Sequence, residues 1–160
     1  LKLKDGMEHQ KSENGETEKQ ASLLVLDTSV VVKWFSQEEY TDKALKIRER
    51  FLNGEVNIIV PDIQIYEIAN ALRYNKVFNK AEIKDSVKSL IDLGLTIFIP
   101  TKDVIERAIE VSFKFDISFY DAYFVALAEI LNSIFITADI KLYNKLKNIS
   151  FVRFLGDFEK

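Results

Sequence analysis

Four acids in this chain fall where chemistry can be done. Asp27 directly follows the apolar run Leu23–Leu26, and Asp139 follows Ser133–Ile136 after only Thr137 and Ala138. Asp121 sits just beyond Ser118, at the start of a strongly apolar segment. Glu67 stands among Ile63, Ile65, Tyr66, Ile68, Ala69 and Leu72, where an ionised carboxylate needs a partner or a cation. Hydroxyls flank the acids, in Asp27-Thr28-Ser29 and Thr137-Ala138-Asp139. If the four converge they repel: two unit charges ~4 Å apart at an effective dielectric of ~20 cost about 4 kcal/mol. Such a cluster either takes up protons or is neutralised by divalent cations. Oxygen ligands without imidazole or thiolate favour Mg2+ or Mn2+ over zinc. A site of that kind suits phosphoryl transfer, with the cation lowering the pKa of a bound water and stabilising the leaving oxygen.

Each acid also has a purely structural explanation. Asp27 and Asp139 are suitable N-caps, and Ser118 to Asp121 fits a capping box. Glu67 could lie on an exposed stripe with Asn70 and Arg73. Caps account for three acids near helix starts, but for neither the setting of Glu67 nor the adjoining hydroxyls.

The remaining composition narrows the chemistry. The chain has 160 residues, 48% hydrophobic and 29% charged, which is the composition of one globular domain. It has no cysteine, so disulfides and Cys-ligated metals are excluded. Its one histidine, His9, lies in a polar tail, which removes Ser-His-Asp triads and two-histidine acid–base catalysis. No segment approaches the ~18 apolar residues of a membrane span, and no signal-peptide core opens the sequence, so a cytoplasmic protein is expected. The net charge of −3 argues against non-specific coating of nucleic acid. Lysines and arginines gather at Lys43–Arg50, Arg73–Lys80 and Lys141–Lys147; a phosphate-contact role suits whichever lies beside the acids.

These acids must be positioned by alternating elements. Residues 1–21 are rich in Lys, Glu, Gln, Ser, Asn and Gly and read as a disordered extension, leaving 22–158 as the domain. Short apolar strands are expected at Leu23–Leu26, Asn57–Val60, Thr96–Ile99, Ser133–Ile136 and Phe151–Phe154. Helices are expected at 28–36, 39–52, 63–76, 80–93, 101–115, 118–131 and 139–147, several bounded by Asn-Gly, Gly or a capping residue. Short all-apolar strands separated by helices indicate a parallel sheet covered on both faces. The expected fold is therefore a three-layer α/β/α sandwich with a central parallel sheet of four to five strands. In such a sheet the strand C-termini open on one edge, where ligand sites form. Trp34, Phe35, Tyr66, Tyr74 and Phe78 are expected in the core; exposed, they would mark a docking face.

In order and spacing, Leu-Val-Leu-Asp27-Thr-Ser-Val, Glu67-Ile-Ala-Asn-Ala-Leu, Tyr-Asp121-Ala-Tyr-Phe-Val-Ala-Leu-Ala and Ile-Thr137-Ala-Asp139 resemble the four motifs of the PIN domain. The nearest branch is the VapC toxin ribonucleases of VapBC toxin–antitoxin pairs. The resemblance covers roughly residues 23–155 and implies a PIN-like fold with an Mg2+- or Mn2+-dependent endoribonuclease activity. It implies a homodimer held inactive by a small VapB-like antitoxin. Asp27 and Asp121 would be the principal metal ligands, with Glu67 and Asp139 completing the acidic pocket. Thr28, Ser29 and Thr137 would orient water or the carboxylates, and Asn70 would support Glu67 from one helical turn away.

Three other readings compete. One is a phosphatase or phosphoacceptor domain, but Ser29 stands where the first would want a second Asp, and Pro100-Thr101 where the second would want one. Another is a PIN nuclease of RNA processing, and a third is a PIN-fold interaction module without turnover.

Overall fold

The computed structural model describes residues 21–158. The expected extension at 1–21 falls, but for Ala21, outside the described residues. Five parallel strands form one sheet in the order β3-β2-β1-β4-β5: β1 Ser22–Leu26, β2 Val56–Pro61, β3 Thr96–Phe98, β4 Ile134–Thr137 and β5 Val152–Phe154. The helices are α1 Thr28–Val31, α2 Thr41–Leu52, α3 Ile63–Tyr74, α4 Lys80–Asp92, α5 Lys102–Phe115, α6 Phe119–Ile130 and α7 Ile140–Leu146. The architecture is the α/β/α sandwich expected from the alternation of apolar strands and helices.

β1 is the central strand, pairing with β2 at Leu24–Ile58 and with β4 at Val25–Phe135. Its side chains alternate between two separate cores. Leu24 and Leu26 join Val30, Ala44, Ile47, Ile68, Leu72 and Leu90 from α1–α4. Val25 joins Val104, Ala108, Phe124, Leu127, Phe135 and Leu146 from α5–α7 and β4. This is the period of two that a strand buried on both faces imposes. The chain order reverses direction at β1, because β2 and β3 lie on one side and β4 and β5 on the other. That places a crevice at the carboxyl end of β1. Asp27 extends the ladder by donating its backbone N–H to Ile136 O at 2.9 Å, which fixes it beside Thr137.

Helix ends follow their sequence signals. Gly54 (φ 73°) and Gly94 (φ 78°) take the left-handed conformation just after α2 and α4. Asn79 and Glu82 form a reciprocal capping box at the start of α4.

Two expectations are corrected. The helix expected over 28–36 is only one α turn, Thr28–Val31, followed by a 3-10 turn Val32–Trp34. Three consecutive β-branched valines, Val30–Val32, disfavour a longer α-helix, and the buried Trp34 indole is drawn to donate to Ala44 O at 2.9 Å. Asp62, by contrast, does cap α3, its Oδ1 accepting from Ile63 N at 2.9 Å. Trp34 is buried, and Phe35 and Phe78 pack against the core, but Tyr66 and Tyr74 are 66% and 76% exposed. They lie on the outer face of α3, whose inner face is already filled by Ile68 and Leu72.

Candidate metal centre

Asp27 holds the centre of the site. It is only 7% exposed. Its carboxylate makes no cap to α1; Oδ2 instead accepts from Ser29 Oγ at 2.5 Å and Thr137 Oγ1 at 2.8 Å. Ser29 Oγ also accepts from Ala138 N at 2.9 Å, and Thr137 Oγ1 accepts from Asp139 N at 3.0 Å. The two hydroxyls thus tie the end of β1 to the loop after β4. The capping explanation fails for Asp27, since the side chain points into the crevice rather than along α1.

Glu67 is half-buried in the second turn of α3 and accepts from the hydroxyl of Thr28. It is therefore not part of an exposed stripe. Asn70, one turn further, is exposed. Asp121, in the first turn of α6, accepts at Oδ2 from Ser118 Oγ at 2.7 Å, while its own N–H donates to that same oxygen at 3.0 Å. This is half a capping box, because the carboxylate engages the Ser118 hydroxyl and not its backbone N–H.

Asp139 has the structural role suggested for it. Its Oδ1 accepts from Lys141 N at 2.8 Å and Leu142 N at 3.1 Å, capping α7, and its side of the helix is exposed.

Two of the acids respond to their neighbours. Burial raises the pKa of Asp27, against the lowering effect of Ser29 and Thr137, and the charge of Asp121 raises it further. Burial also raises Glu67, opposed by Thr28, and the charges of Asp27 and Asp121 add to the rise. Among the described residues, none of the four acids forms an ion pair with a lysine or arginine. A buried carboxylate surrounded by acids and hydroxyls, with no base, is an uncompensated charge that a hard cation would neutralise.

The donor set fits Mg2+ or Mn2+, since every side-chain donor is an oxygen. Among the described residues no three acids stand together as a preassembled metal cluster. Mg2+ tolerates such an arrangement, because it keeps several waters and is held by one or two carboxylates.

Gln64 was not anticipated from sequence. It is fully buried, and its Nε2 donates to Leu26 O at 2.7 Å, which steadies the backbone immediately before Asp27. The available signal was an amide one turn before Glu67 in an otherwise apolar stretch.

The sequence profile described as PIN domain matches residues 24–147, from β1 through the end of α7. The chain belongs to the PIN domain family. No curated protein matches it in sequence. Solved structures share its fold at low identity. A toxin–antitoxin complex from Klebsiella pneumoniae aligns with TM-score 0.63 and 16% identity, over 86% of this chain and 99% of that one. VapC20 of Mycobacterium tuberculosis, a sarcin–ricin-loop-cleaving toxin, aligns at 0.61 and 16%, over 81% and 96%. VapBC-1 of nontypeable Haemophilus influenzae aligns at 0.61 and 12%, over 84% and 99%. PIN domains form a nuclease family that typically uses divalent metals. Among the described residues of this PIN domain, no helix is long and apolar enough to cross a membrane.

The Thr28 hydroxyl is the one side-chain donor to Glu67 among the described residues. Thr28→Val is expected to weaken Mn2+ binding roughly 10–100-fold, as removal of a ligand-orienting partner does. Isothermal titration with Mn2+ measures this, and unchanged circular dichroism shows that the fold survives.

Proposed function

We propose that this PIN domain is a metal-dependent endoribonuclease acting as the toxin of a toxin–antitoxin pair. The observation carrying this reading is Asp27, buried at the carboxyl edge of the sheet without a basic partner among the described residues and near enough to Glu67 and Asp121 for their charges to interact. When bound, Mg2+ or Mn2+ would supply charge neutralisation and an acidified water for phosphodiester hydrolysis. Asp27, Asp121 and Glu67 would hold the cation. Asp139 would act from the rim of the same pocket.

The protein's own groups prepare that step. Ser29 and Thr137 fix one oxygen of Asp27, leaving the other free to ligate. Thr28 orients Glu67. Lys141, exposed in the first turn of α7 with its backbone N–H on Asp139, would contact a phosphate of the substrate. Lys145, from the same cluster, is already engaged by Asp116. Structural neighbours crystallised as toxin–antitoxin complexes support the toxin role. So does the exposed apolar face of Tyr66, Tyr74 and Val77, a surface suited to an antitoxin.

The test is removal of the cation. Purified full-length protein is expected to cut single-stranded RNA in Mn2+ or Mg2+, to lose all cutting in excess chelator, and to regain it when the metal is restored. Cutting that persists through chelation would refute the reading.

A further inference from the structure

A cavity of about 200 Å3 lies between the first turns of α3 and α6 and the chain after β3. Asp62, Ile63, Pro100, Phe119, Tyr120 and Tyr123 line it. It shares both helices with the acids. Ile63 and Glu67 are four residues apart and lie on one face of α3, and Tyr120 immediately precedes Asp121 on α6. The lining is aromatic: Phe119 and Tyr123 stack with centroids 6.2 Å apart at 27°, and Tyr120 is 57% exposed at the mouth.

Two polar features break the apolar wall. Tyr123 is only 3% exposed, yet its hydroxyl has no hydrogen-bond partner among the described residues. A buried phenol without a partner is uncommon in folded proteins. The phenol O–H is therefore left as a donor without an acceptor. Asp62 places a carboxylate at the cavity, which repels phosphate but accepts from the amino or imino edge of a base.

From this we infer that the cavity is a base-binding subsite, taking one unstacked nucleobase of a single-stranded RNA whose backbone runs past Asp27, Glu67 and Asp121, and so setting the base preference of the cut. The inference rests on the ribonuclease reading. An exposed ring offers a stacking platform that every base can use, and a buried hydroxyl and a carboxylate then discriminate among base edges. Single-stranded RNA is read in this way, by splayed bases on aromatic side chains.

The probe is a short single-stranded RNA carrying 2-aminopurine at one position at a time, bound to full-length Asp27→Asn protein. That background leaves the RNA uncut and lowers the repulsion that phosphate meets. The expected result is quenching at one position, abolished by adding Tyr120→Ala, with binding weakened about tenfold. Tyr123→Phe, nearly isosteric, should keep the quenching but flatten the preference among the four bases at that position. Equal quenching at every position, no binding of any probe, or Tyr120→Ala behaving as its parent would overturn the inference. So would a change of oligomeric state in Tyr120→Ala by light scattering, which would make this face a subunit contact. Cleavage by the wild-type protein in Mn2+ is measured separately, so failure of the nuclease reading is seen independently of the quenching.

Discussion

Asp27→Asn is expected to lower RNA cleavage by on the order of 10^3-fold while raising the melting temperature of the metal-free protein. The asparagine keeps the shape of the side chain and an oxygen to accept from Ser29 and Thr137, but it cannot offer a charged ligand to the cation. Loss of one preorganised electrostatic group in an active site costs on the order of 10^2–10^3 in rate, and loss of a metal ligand lies at the upper end. The gain in stability follows from the sign of the pKa shift. The folded protein raises Asp27 above its ordinary value of 3.8, so folding favours the protonated form. The stabilisation this gives is full below that ordinary value and is lost as pH rises through the raised one. Glu67 behaves alike from its ordinary 4.5 upward. At neutral pH the metal-free protein therefore folds against the repulsion of its own site. Thermal melts should show the wild type gaining stability on acidification from neutral to mildly acidic pH, and less of that gain in Asp27→Asn. Added Mn2+ should raise the wild-type melting temperature by mass action and move the variant little. A variant that melts lower than the wild type without metal, or cuts at the parental rate, would contradict this account.

Phe135→Ala should be among the most destabilising single substitutions in the domain. Phe135 lies at the middle of β4, fully buried, with its ring 6.4 Å from that of Phe124 on α6. It pairs with Val25 of β1 on one side and Val152 of β5 on the other. Removal of a buried phenyl ring costs about 3–5 kcal/mol through lost burial and the cavity left behind. Against a usual total of roughly 5–15 kcal/mol, that is a large share. The melting temperature should fall by roughly 10–20 °C, and urea midpoints should drop without change of slope. A loss under about 1 kcal/mol would mean that the second core repacks freely, which its dense aromatic filling argues against.

Much of the fold was legible because its signals are strong and local. The strands are short apolar runs closed by Asp, Pro or polar residues, and they emerged within one or two positions of where Leu23–Leu26 and Asn57–Val60 suggested. At the first helix apolar spacing alone does not distinguish an α turn from a 3-10 turn, and Val30–Val32 weigh toward the latter. The exposure of Tyr66 and Tyr74 is not legible, because hydrophobicity does not reveal which face of α3 meets the core when both faces carry apolar residues. In the site, Asp27 and Glu67 were recognisable as acids needing compensation, since each adjoins apolar sequence. What could not be read was the cross-linking by hydroxyls: Thr28 to Glu67 and Thr137 to Asp27 join residues distant in the chain. The buried phenol of Tyr123 was equally hidden, because a tyrosine in an apolar helix looks like any core aromatic until its oxygen is found without a partner.

The two cores on opposite faces of the sheet have a mechanical corollary. Glu67 rides on α3, packed in one, and Asp121 on α6, packed in the other, with Asp27 on the strand between. Close-packed interiors transmit strain rather than absorb it. A protein that wedges against α3 alone would therefore act as a lever on the gap between these carboxylates, from the domain's outer wall and without reaching a single acid.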